Sequence, residues 1–246
     1  MPRMQRVAKS FFIHLTLMKL DILAIAVHPD DAELSCSGTL IKHIKAGKKA
    51  GIIDLTQGEL GTRGNAKLRL EEAAAAAEIM GLSARENLGM PDGFFEYNQA
   101  NQLAIVRMIR KYQPDIVLAN ALEDRHPDHG KAARLAKDAC FLSGLLKINT
   151  QINGQDQLPW RPLHVFHYIQ DSYLKPDFVV DIYEEIDQKM ESIMAFSSQI
   201  FDPTNSEPSS PISSKEFLES IKGKNSVFGR DIGVAYAEGF NTDKSI

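Results

Sequence analysis

The first half of the chain alternates short apolar runs with longer segments in which apolar residues recur at helical spacing. Residues 21–27 are almost continuously apolar, as in a strand buried on both faces, and residues 34–48 have helical spacing with a closing Gly47. The same alternation predicts strands at 50–56, 86–90 and 115–121 and helices at 65–80 and 98–112. Strands and helices in this order favour a parallel sheet with crossover helices.

The second half of the chain continues this pattern less regularly. The predicted elements are a helix at 131–146, a polar loop at 151–163, strands at 164–169 and 178–182, a helix at 184–196 and a serine- and proline-rich loop at 197–214. Together the elements predict an α/β fold, a Rossmann-like, mostly parallel sheet with helices on both faces. Too few residues follow the last loop to form a second core, so we expect residues 18–246 to be a single domain.

The residues before the first strand fall outside this pattern. Arg3, Arg6 and Lys9 precede a short apolar stretch, as in a signal peptide, but His14 interrupts that stretch and no small-residue cleavage pattern follows. We therefore expect residues 1–17 to be a disordered or loosely attached N-terminal extension.

The composition argues against several classes of protein. With 28 basic and 32 acidic residues the net charge is −4, so there is no positive excess for binding nucleic acid. No segment approaches the roughly eighteen consecutive apolar residues of a membrane span. Cys36 and Cys140 form no CxxC pair, which favours a reducing compartment and argues against a thiolate zinc site. We expect a soluble, cytoplasmic protein.

Two short motifs rich in histidine and aspartate follow predicted strands. They are His28-Pro29-Asp30-Asp31 after the first strand and His126-Pro127-Asp128-His129 after the fourth. If the two strands end at the same edge of the sheet, His28, Asp31 and His129 can converge there. Two nitrogens and one carboxylate oxygen suit a catalytic zinc site that keeps a fourth position open. For either motif alone, helix capping is the better interpretation, but the pair favours a metal.

The chain resembles the LmbE-like (PIG-L) family of zinc-dependent N-acetylglucosaminyl deacetylases. The family signatures are His-Pro-Asp-Asp followed shortly by Glu, here Glu33, and His-Pro-Asp-His. The resemblance extends over residues 19–240, and family-like segments outside the two motifs lie at 54–59, 90–92 and 236–240. It implies Zn²⁺ as the cofactor, with His28, Asp31 and His129 as ligands. Glu33 is expected either to support the metal loop or to cap a helix.

The resemblance also implies catalytic roles for three further residues. Asp30 is the general base, and His126 lies beside the reacting carbonyl with Asp128 orienting it. These roles suit amide hydrolysis, which needs an activated water, a stabilised oxyanion and a proton for the departing amine. A His126 protonated through pairing with Asp128 would stabilise the oxyanion. The alternative is a His126 that only fixes its loop.

Residues that bind the rest of the substrate are less sharply indicated. The loop at 58–64 has G-x-x-G-x-x-G spacing, which matches neither a dinucleotide fingerprint nor a Walker loop. It carries Arg63, which can hold a carboxylate in two parallel hydrogen bonds, although a solvated surface arginine is equally compatible. Arg125 is a second candidate, or it holds the metal loop. Glu59 and Tyr236, from family-like segments, complete the predicted substrate-binding residues.

Within the family, segments 61–64 and 126–130 most resemble the branch that acts in bacillithiol biosynthesis on N-acetylglucosaminyl malate. This resemblance implies removal of acetate to leave glucosaminyl malate. The alternatives are deacetylation of a chitobiose-type sugar or an N-acetylglucosaminyl lipid, and a zinc-binding protein without turnover. The resemblance also implies a homo-oligomer, commonly a hexamer, that binds a small molecule and has no nucleic-acid or membrane partner.

Overall fold

The computed structural model describes residues 18–242, so the predicted N-terminal extension lies outside it. Its strands are, in chain order, β1 (Ile22–Ala26), β2 (Ala50–Thr56), β3 (Ala84–Met90), β4 (Ile116–Ala119), β5 (Gln151–Ile152), β6 (Gln155–Asp156), β7 (His164–Tyr168), β8 (Phe178–Asp181) and β9 (Ala237–Thr242). Its α-helices are α1 (Asp31–Lys45), α2 (Ala66–Met80), α3 (Gln99–Tyr112), α4 (Pro127–Ser143), α5 (Ile186–Met194) and α6 (Lys215–Arg230). A 3-10 turn at Tyr183–Glu185 precedes α5. No helix in this part of the chain is long and apolar enough to cross a membrane.

The main sheet has seven strands in the order β3-β2-β1-β4-β7-β9-β8. Strands β3, β2, β1, β4 and β7 run parallel, whereas β9 is antiparallel to both neighbours. The predicted Rossmann-like α/β fold is therefore confirmed. The chain leaves β1 for β2 on one side and later reaches β4 on the other, so the strand order reverses between the ends of β1 and β4. Open α/β sheets bind ligands at such a point.

Helices cover both faces of the sheet. Alternate residues of β1 point to opposite faces and pack against the helices there. Leu23 and Ile25 belong to an apolar cluster that includes residues of α3 and α4. Ile22 and Ala24 belong to a second cluster that includes residues of α1. All of β1 is buried. The polar residues that follow β1 are thus carried by a rigid strand end, as a precise site requires.

The C-terminal half differs from the sequence expectation in three places. Helix α4 begins at Pro127 rather than at residue 131, so the second motif forms its first turn. Proline suits the start of a helix because no N–H is needed there. Helix α6 and strand β9 were not predicted, since polar residues and glycines interrupt their apolar patterns. The loop expected at 151–163 contains the short antiparallel pair of β5 and β6.

Candidate active site

The turn between β1 and α1 folds the first motif back on itself. Asp30, at the N-cap position of α1, has φ = 118°, in the left-handed region that residues with a Cβ rarely adopt. Its side chain makes no capping hydrogen bond. Asp31 Oδ2 accepts hydrogen bonds from the backbone N–H of His28 and from Nδ2 of Asn120, each at 3.0 Å. Both aspartates are buried. Because the Asp30 carboxylate does not cap α1, it can bind a side chain of another helix.

The three predicted metal ligands come together at the ends of β1 and β4. His28 Nδ1 lies 3.6 Å from Asp31 Oδ2, and His129 Nε2 lies 3.3 Å from Asp31 Oδ1. Ring nitrogens of His28, His126 and His129 all lie within 4.8 Å of one another. Two imidazoles and a carboxylate therefore face one region, with a third imidazole beside it. This is the donor chemistry of a catalytic zinc site.

For each of the two imidazoles predicted to bind the metal, a carboxylate lies at hydrogen-bond distance from the nitrogen that faces away from Asp31. His28 Nε2 lies 3.0 Å from Asp92 Oδ1, and His129 Nδ1 lies 2.5 Å from Asp124 Oδ2. Such partners fix the tautomer and ring orientation of metal-binding histidines. They leave His28 Nδ1 and His129 Nε2 for an ion, so the residues present fit zinc. Neither carboxylate was predicted from the sequence. For Asp124 the only sequence signal is its short spacing from His129.

The charges around Asp31 favour its anionic form. Burial alone raises the pKa of Asp31, but His129 and His28 outweigh burial and hold that pKa well below its ordinary value. For His129 burial acts in the opposite direction and lowers the pKa, but Asp31 and Asp124 outweigh burial and raise that pKa to about 9. A negative charge is therefore stabilised at the position where a cation would bind.

Asp30 is held by an arginine that sequence analysis did not single out. Arg69, on α2, donates Nη1 to Asp30 Oδ2 at 3.0 Å and to the carbonyl oxygen of Pro29 at 2.7 Å. Burial raises the pKa of Asp30 to about 7, although Arg69 opposes this shift. A carboxyl group with this pKa can accept a proton and return it near neutral pH. No local pattern distinguishes Arg69 from an exposed helical arginine, which is why it was missed.

His126 and Asp128 are not paired in the way that the sequence suggested. His126 Nδ1 accepts a hydrogen bond from the backbone N–H of Asp128 at 3.3 Å, which caps α4. The Asp128 carboxylate instead accepts from the backbone N–H of Gly93 and from Lys131 Nζ, each at 2.9 Å. Burial and the neighbouring His28 lower the pKa of His126. The geometry therefore favours a neutral His126 with its proton on Nε2, not an imidazolium made by Asp128.

The site lies in a cavity of about 600 Å³, a volume typical of small-molecule sites. The wall opposite the motifs comes from the loop at 201–214 and from one face of α6, including Ile212 and Phe217. Among the described residues, Arg125 is the only predicted substrate-binding residue that lines the cavity. Its Nε lies 2.5 Å from Asp171 Oδ2.

Arg63 is not among the residues that line the cavity. Its Nε donates to the carbonyl oxygen of Pro208 at 2.7 Å and its Nη2 to that of Glu207 at 3.4 Å. Its own carbonyl oxygen accepts from Gln199 Nε2 at 2.8 Å. Arg63 therefore fastens the loop at 201–214, and its contact with substrate stays a prediction. The arginine of this region that does reach the cavity is Arg69.

Glu59 and Tyr236 also lie outside the cavity lining. The Glu59 carboxylate accepts hydrogen bonds from the backbone N–H groups of Asp92, at 2.8 Å, and Gln57, at 3.2 Å. Glu59 thus orders the loop that carries Asp92. Tyr236 is partly buried, and its carbonyl oxygen accepts from the backbone N–H of Ile182 at 3.0 Å. In this structure both residues shape loops and strand ends, and their contact with substrate stays a prediction.

Glu33 supports the metal motif from within the fold. Its Oε1 lies 2.5 Å from Arg85 Nη1, and Arg85 Nε and Nη2 bind the Asp54 carboxylate at 2.8 and 3.1 Å. All three side chains are buried. Charge-assisted hydrogen bonds of this kind join α1 to β2 and β3. Glu33 was expected either to support the metal loop or to cap a helix, and these contacts agree with support of the metal loop.

Known proteins show the same architecture. Residues 23–140 match the family model PIG-L: GlcNAc-PI de-N-acetylase. The chain is 31% identical over 190 residues to the diacetylchitobiose deacetylase of Thermococcus kodakarensis, covering 72% of this chain and 69% of that protein. It is similar to the structure of the conserved protein TT1542 from Thermus thermophilus, with 36% identity, a TM-score of 0.81 and coverage of 92% of this chain and 96% of that one. The N,N'-diacetylchitobiose deacetylase from Pyrococcus horikoshii gives 25% identity, a TM-score of 0.76 and coverage of 89% and 82%. The chain therefore belongs to the PIG-L (LmbE-like) family.

Proposed function

We propose that this chain is a zinc-dependent deacetylase that hydrolyses the acetamide of an N-acetylglucosaminyl compound. The observation that carries this proposal is the place of Asp30, a buried carboxyl group with a pKa of about 7 beside the cluster of His28, Asp31 and His129. A base next to a metal donor set, inside one cavity, is what hydrolysis of an unactivated amide requires. Family membership supports the same chemistry, since the Thermococcus relative is a deacetylase.

The residues of the chain account for each proton in the reaction. When His28, Asp31 and His129 hold zinc, the ion supplies Lewis acidity towards water and the acetyl carbonyl. Asp30 takes a proton from the water whose oxygen attacks the acetyl carbon. Arg69 keeps the Asp30 carboxylate oriented through its hydrogen bond of 3.0 Å. The C–N bond then breaks and Asp30 gives its proton to the departing nitrogen, so that acetic acid and a free amine result. The proton that remains on the acid passes to the amine or to solvent near neutral pH, which leaves acetate.

His126 is assigned to the oxyanion as a neutral donor. Its Nδ1 already accepts the backbone N–H of Asp128, which leaves Nε2–H to donate. A preorganised neutral donor stabilises developing negative charge without a change of protonation state. This assignment replaces the protonated imidazole that the sequence suggested.

For the rest of the substrate we propose malate, as in bacillithiol biosynthesis. A cavity of about 600 Å³ has room for a sugar with a small acid attached. Arg125 lines it, where a substrate carboxylate can compete with Asp171. A chitobiose-type sugar is the second candidate, favoured by the 31% identity to the Thermococcus enzyme.

The test is a substrate panel with the zinc-loaded full chain. Acetate release is measured from N-acetylglucosaminyl malate, N,N'-diacetylchitobiose and N-acetylglucosamine, and bound metal is measured by plasma mass spectrometry. We expect about one zinc per chain and the highest kcat/KM for the malate compound. A preference for diacetylchitobiose would reassign the substrate. Bound zinc without acetate release from any compound would favour a non-catalytic zinc-binding protein.

The cellular setting is part of the same proposal. We propose a cytoplasmic homo-oligomer, commonly a hexamer in this family. The family resemblance supports the homo-oligomer. The two free, buried cysteines suit a reducing compartment such as the cytoplasm. Light scattering of the purified chain measures the assembly state, and a monomer at micromolar concentration would contradict it.

A further inference from the structure

A lysine on α6, which belongs to neither motif, lies at the cavity. Lys224 lines the cavity together with Arg125 and Asp171. Its Nζ donates a hydrogen bond to the backbone carbonyl oxygen of Gln170. Phe217, seven residues earlier, shares the same helix face two turns away and also lines the cavity. The helix that closes the cavity therefore presents both an apolar surface and an ammonium group to it.

Two arginines and this lysine line the cavity, and only the arginines are paired with carboxylates. Arg69 Nη1 lies 3.0 Å from Asp30 Oδ2, and Arg125 Nε lies 2.5 Å from Asp171 Oδ2. Within residues 18–242, Lys224 has no carboxylate at salt-bridge distance, and one carbonyl oxygen accepts from an ammonium group that can donate three hydrogen bonds. Lys224 is thus the cavity cation with unused binding capacity.

The acidic groups that face Lys224 are engaged elsewhere. Asp171 pairs with Arg125, Asp124 pairs with His129, and Glu238 pairs with Lys189. Burial therefore dominates and lowers the pKa of Lys224 to about 8. Lys224 is partly buried. An ammonium group that is partly removed from water and has no counter-ion is unfavourable, and an anionic ligand would relieve that cost.

We propose that Lys224 binds a carboxylate on the part of the substrate that lies away from the acetamide. The inference rests on the proposed deacetylase function, because Asp30 and Lys224 line the same cavity and one substrate bound there can reach both. Lys224 can donate to the carboxylate while it keeps its bond to Gln170. Arg125, by contrast, must first exchange Asp171 for the ligand. Lys224 is therefore a specificity-determining residue for anionic substrates.

The experiment compares N-acetylglucosaminyl malate with its dimethyl ester, in which two methyl groups remove both carboxylate charges. With the zinc-loaded full chain, we expect Lys224→Met to raise KM for the malate compound about tenfold or more, the loss expected for a hydrogen bond between charged groups. The KM of the ester and kcat for both compounds should stay near wild type. Lys224→Arg should keep the preference for malate. Lys222→Met is the matched control, since Lys222 is on the exposed side of α6, 3.9 Å from Asp187.

Each outcome decides the inference. Equal losses for both substrates would mean that Lys224 only positions Gln170, and an unchanged KM would mean that it does not bind the anion. Either result overturns the inference and leaves the deacetylase function standing. If the wild type hydrolyses neither compound, the proposed function fails and calorimetry with glucosaminyl malate decides the role of Lys224. Tighter binding to the wild type than to Lys224→Met supports the inference, whereas equal affinity or no binding overturns it.

Discussion

Asp30 occupies an N-cap position, where an aspartate ordinarily accepts a hydrogen bond from its own helix. Here the backbone has φ = 118° and the carboxylate makes no capping bond, so it turns to Arg69 instead. A left-handed backbone at a residue with a Cβ costs on the order of 1–3 kcal/mol. Asp31 offsets part of that cost by accepting the backbone N–H of His28. The turn thereby separates Asp30, the proposed proton-transfer residue, from Asp31, the adjacent proposed metal ligand.

We expect Asp30→Asn to retain zinc and to lose activity. An amide cannot take a proton from water, so kcat/KM should fall by roughly 10²–10⁴-fold. The three ligand side chains are unchanged, so the metal content should match that of the wild type. Acetate release and metal content are measured on the same sample. Loss of zinc in this variant would instead place Asp30 in the metal site.

Asp124→Asn should weaken zinc binding without removing a ligand. Asp124 holds His129 Nδ1 at 2.5 Å, and loss of such a partner costs roughly 10–100-fold in metal affinity or activity. Competition with a chromogenic chelator measures the affinity. Glu123→Gln, at the exposed neighbouring residue, is the control and should match the wild type. An unchanged zinc affinity in Asp124→Asn would show that the carboxylate does not orient the ligand.

Binding of an anionic substrate should depend on pH through Lys224. Burial first, and then Lys189, lower the pKa of Lys224 to about 8, while Asp171, Asp124 and Glu238 oppose this shift. A lysine is charged below its pKa, so the KM of N-acetylglucosaminyl malate should rise as the pH increases through about 8. The KM of the dimethyl ester should not follow this rise. In Lys224→Arg the rise should disappear, because a guanidinium stays charged. Parallel pH profiles for the two substrates would contradict this prediction.

At the scale of elements, the loop at 201–214 and α6 build one wall of the cavity although neither carries a metal motif. The loop is docked through Arg63, which bonds the carbonyl oxygens of Glu207 and Pro208. A proline- and serine-rich segment has no apolar periodicity from which docking can be predicted. The sequence indicated a loop here, but its place over the site depends on contacts with residues about 140 positions away.

Arg63→Ala should loosen the loop at 201–214. Loss of the bonds to Glu207 and Pro208 should raise KM severalfold for charged and neutral substrates alike, with a smaller change in kcat. Limited proteolysis followed by mass spectrometry should detect faster cleavage within this loop. Lys67→Ala, an exposed position on α2, is the control. If KM rises only for the malate compound and cleavage is unchanged, Arg63 is a substrate-binding residue.

At the scale of the whole molecule, a buried ion pair joins helix α5 to strand β9, near the C-terminal end of the described chain. Lys189 Nζ, on α5, lies 2.8 Å from Glu238 Oε1, on β9, and both side chains are fully buried. The Glu238 carboxylate also accepts the backbone N–H groups of Gly38 and Thr39 in α1, at 2.9 and 2.7 Å. The helix that begins with Asp31 is thus held by the last strand of the described chain.

Lys189→Met should destabilise the fold, because it leaves the Glu238 carboxylate buried without a cation. We expect the free energy of unfolding to fall by about 3–5 kcal/mol, as measured by urea denaturation. The double variant Lys189→Met/Glu238→Gln removes the unpaired charge and should lose less. Lys48→Met, at an exposed lysine, should be close to wild type. A double variant as unstable as the single one would mean that the unpaired charge is not the cause.

The sequence by itself determined the alternating α/β order, the buried central strand and the meeting of the two motifs. These features follow from patterns between near neighbours: an apolar run marks a buried strand, and the ends of adjacent parallel strands share one edge. Only the tertiary structure decided that Arg69 and not Arg63 reaches the cavity, that Asp92 and Asp124 hold the imidazoles, and that α6 supplies Lys224. The places of Arg69, Asp92 and Lys224 depend on contacts between segments distant in the chain, and such contacts leave no periodic trace in the sequence. Asp124 lies near His129 in the chain, but which group donates to its carboxylate depends on how the turn between them folds.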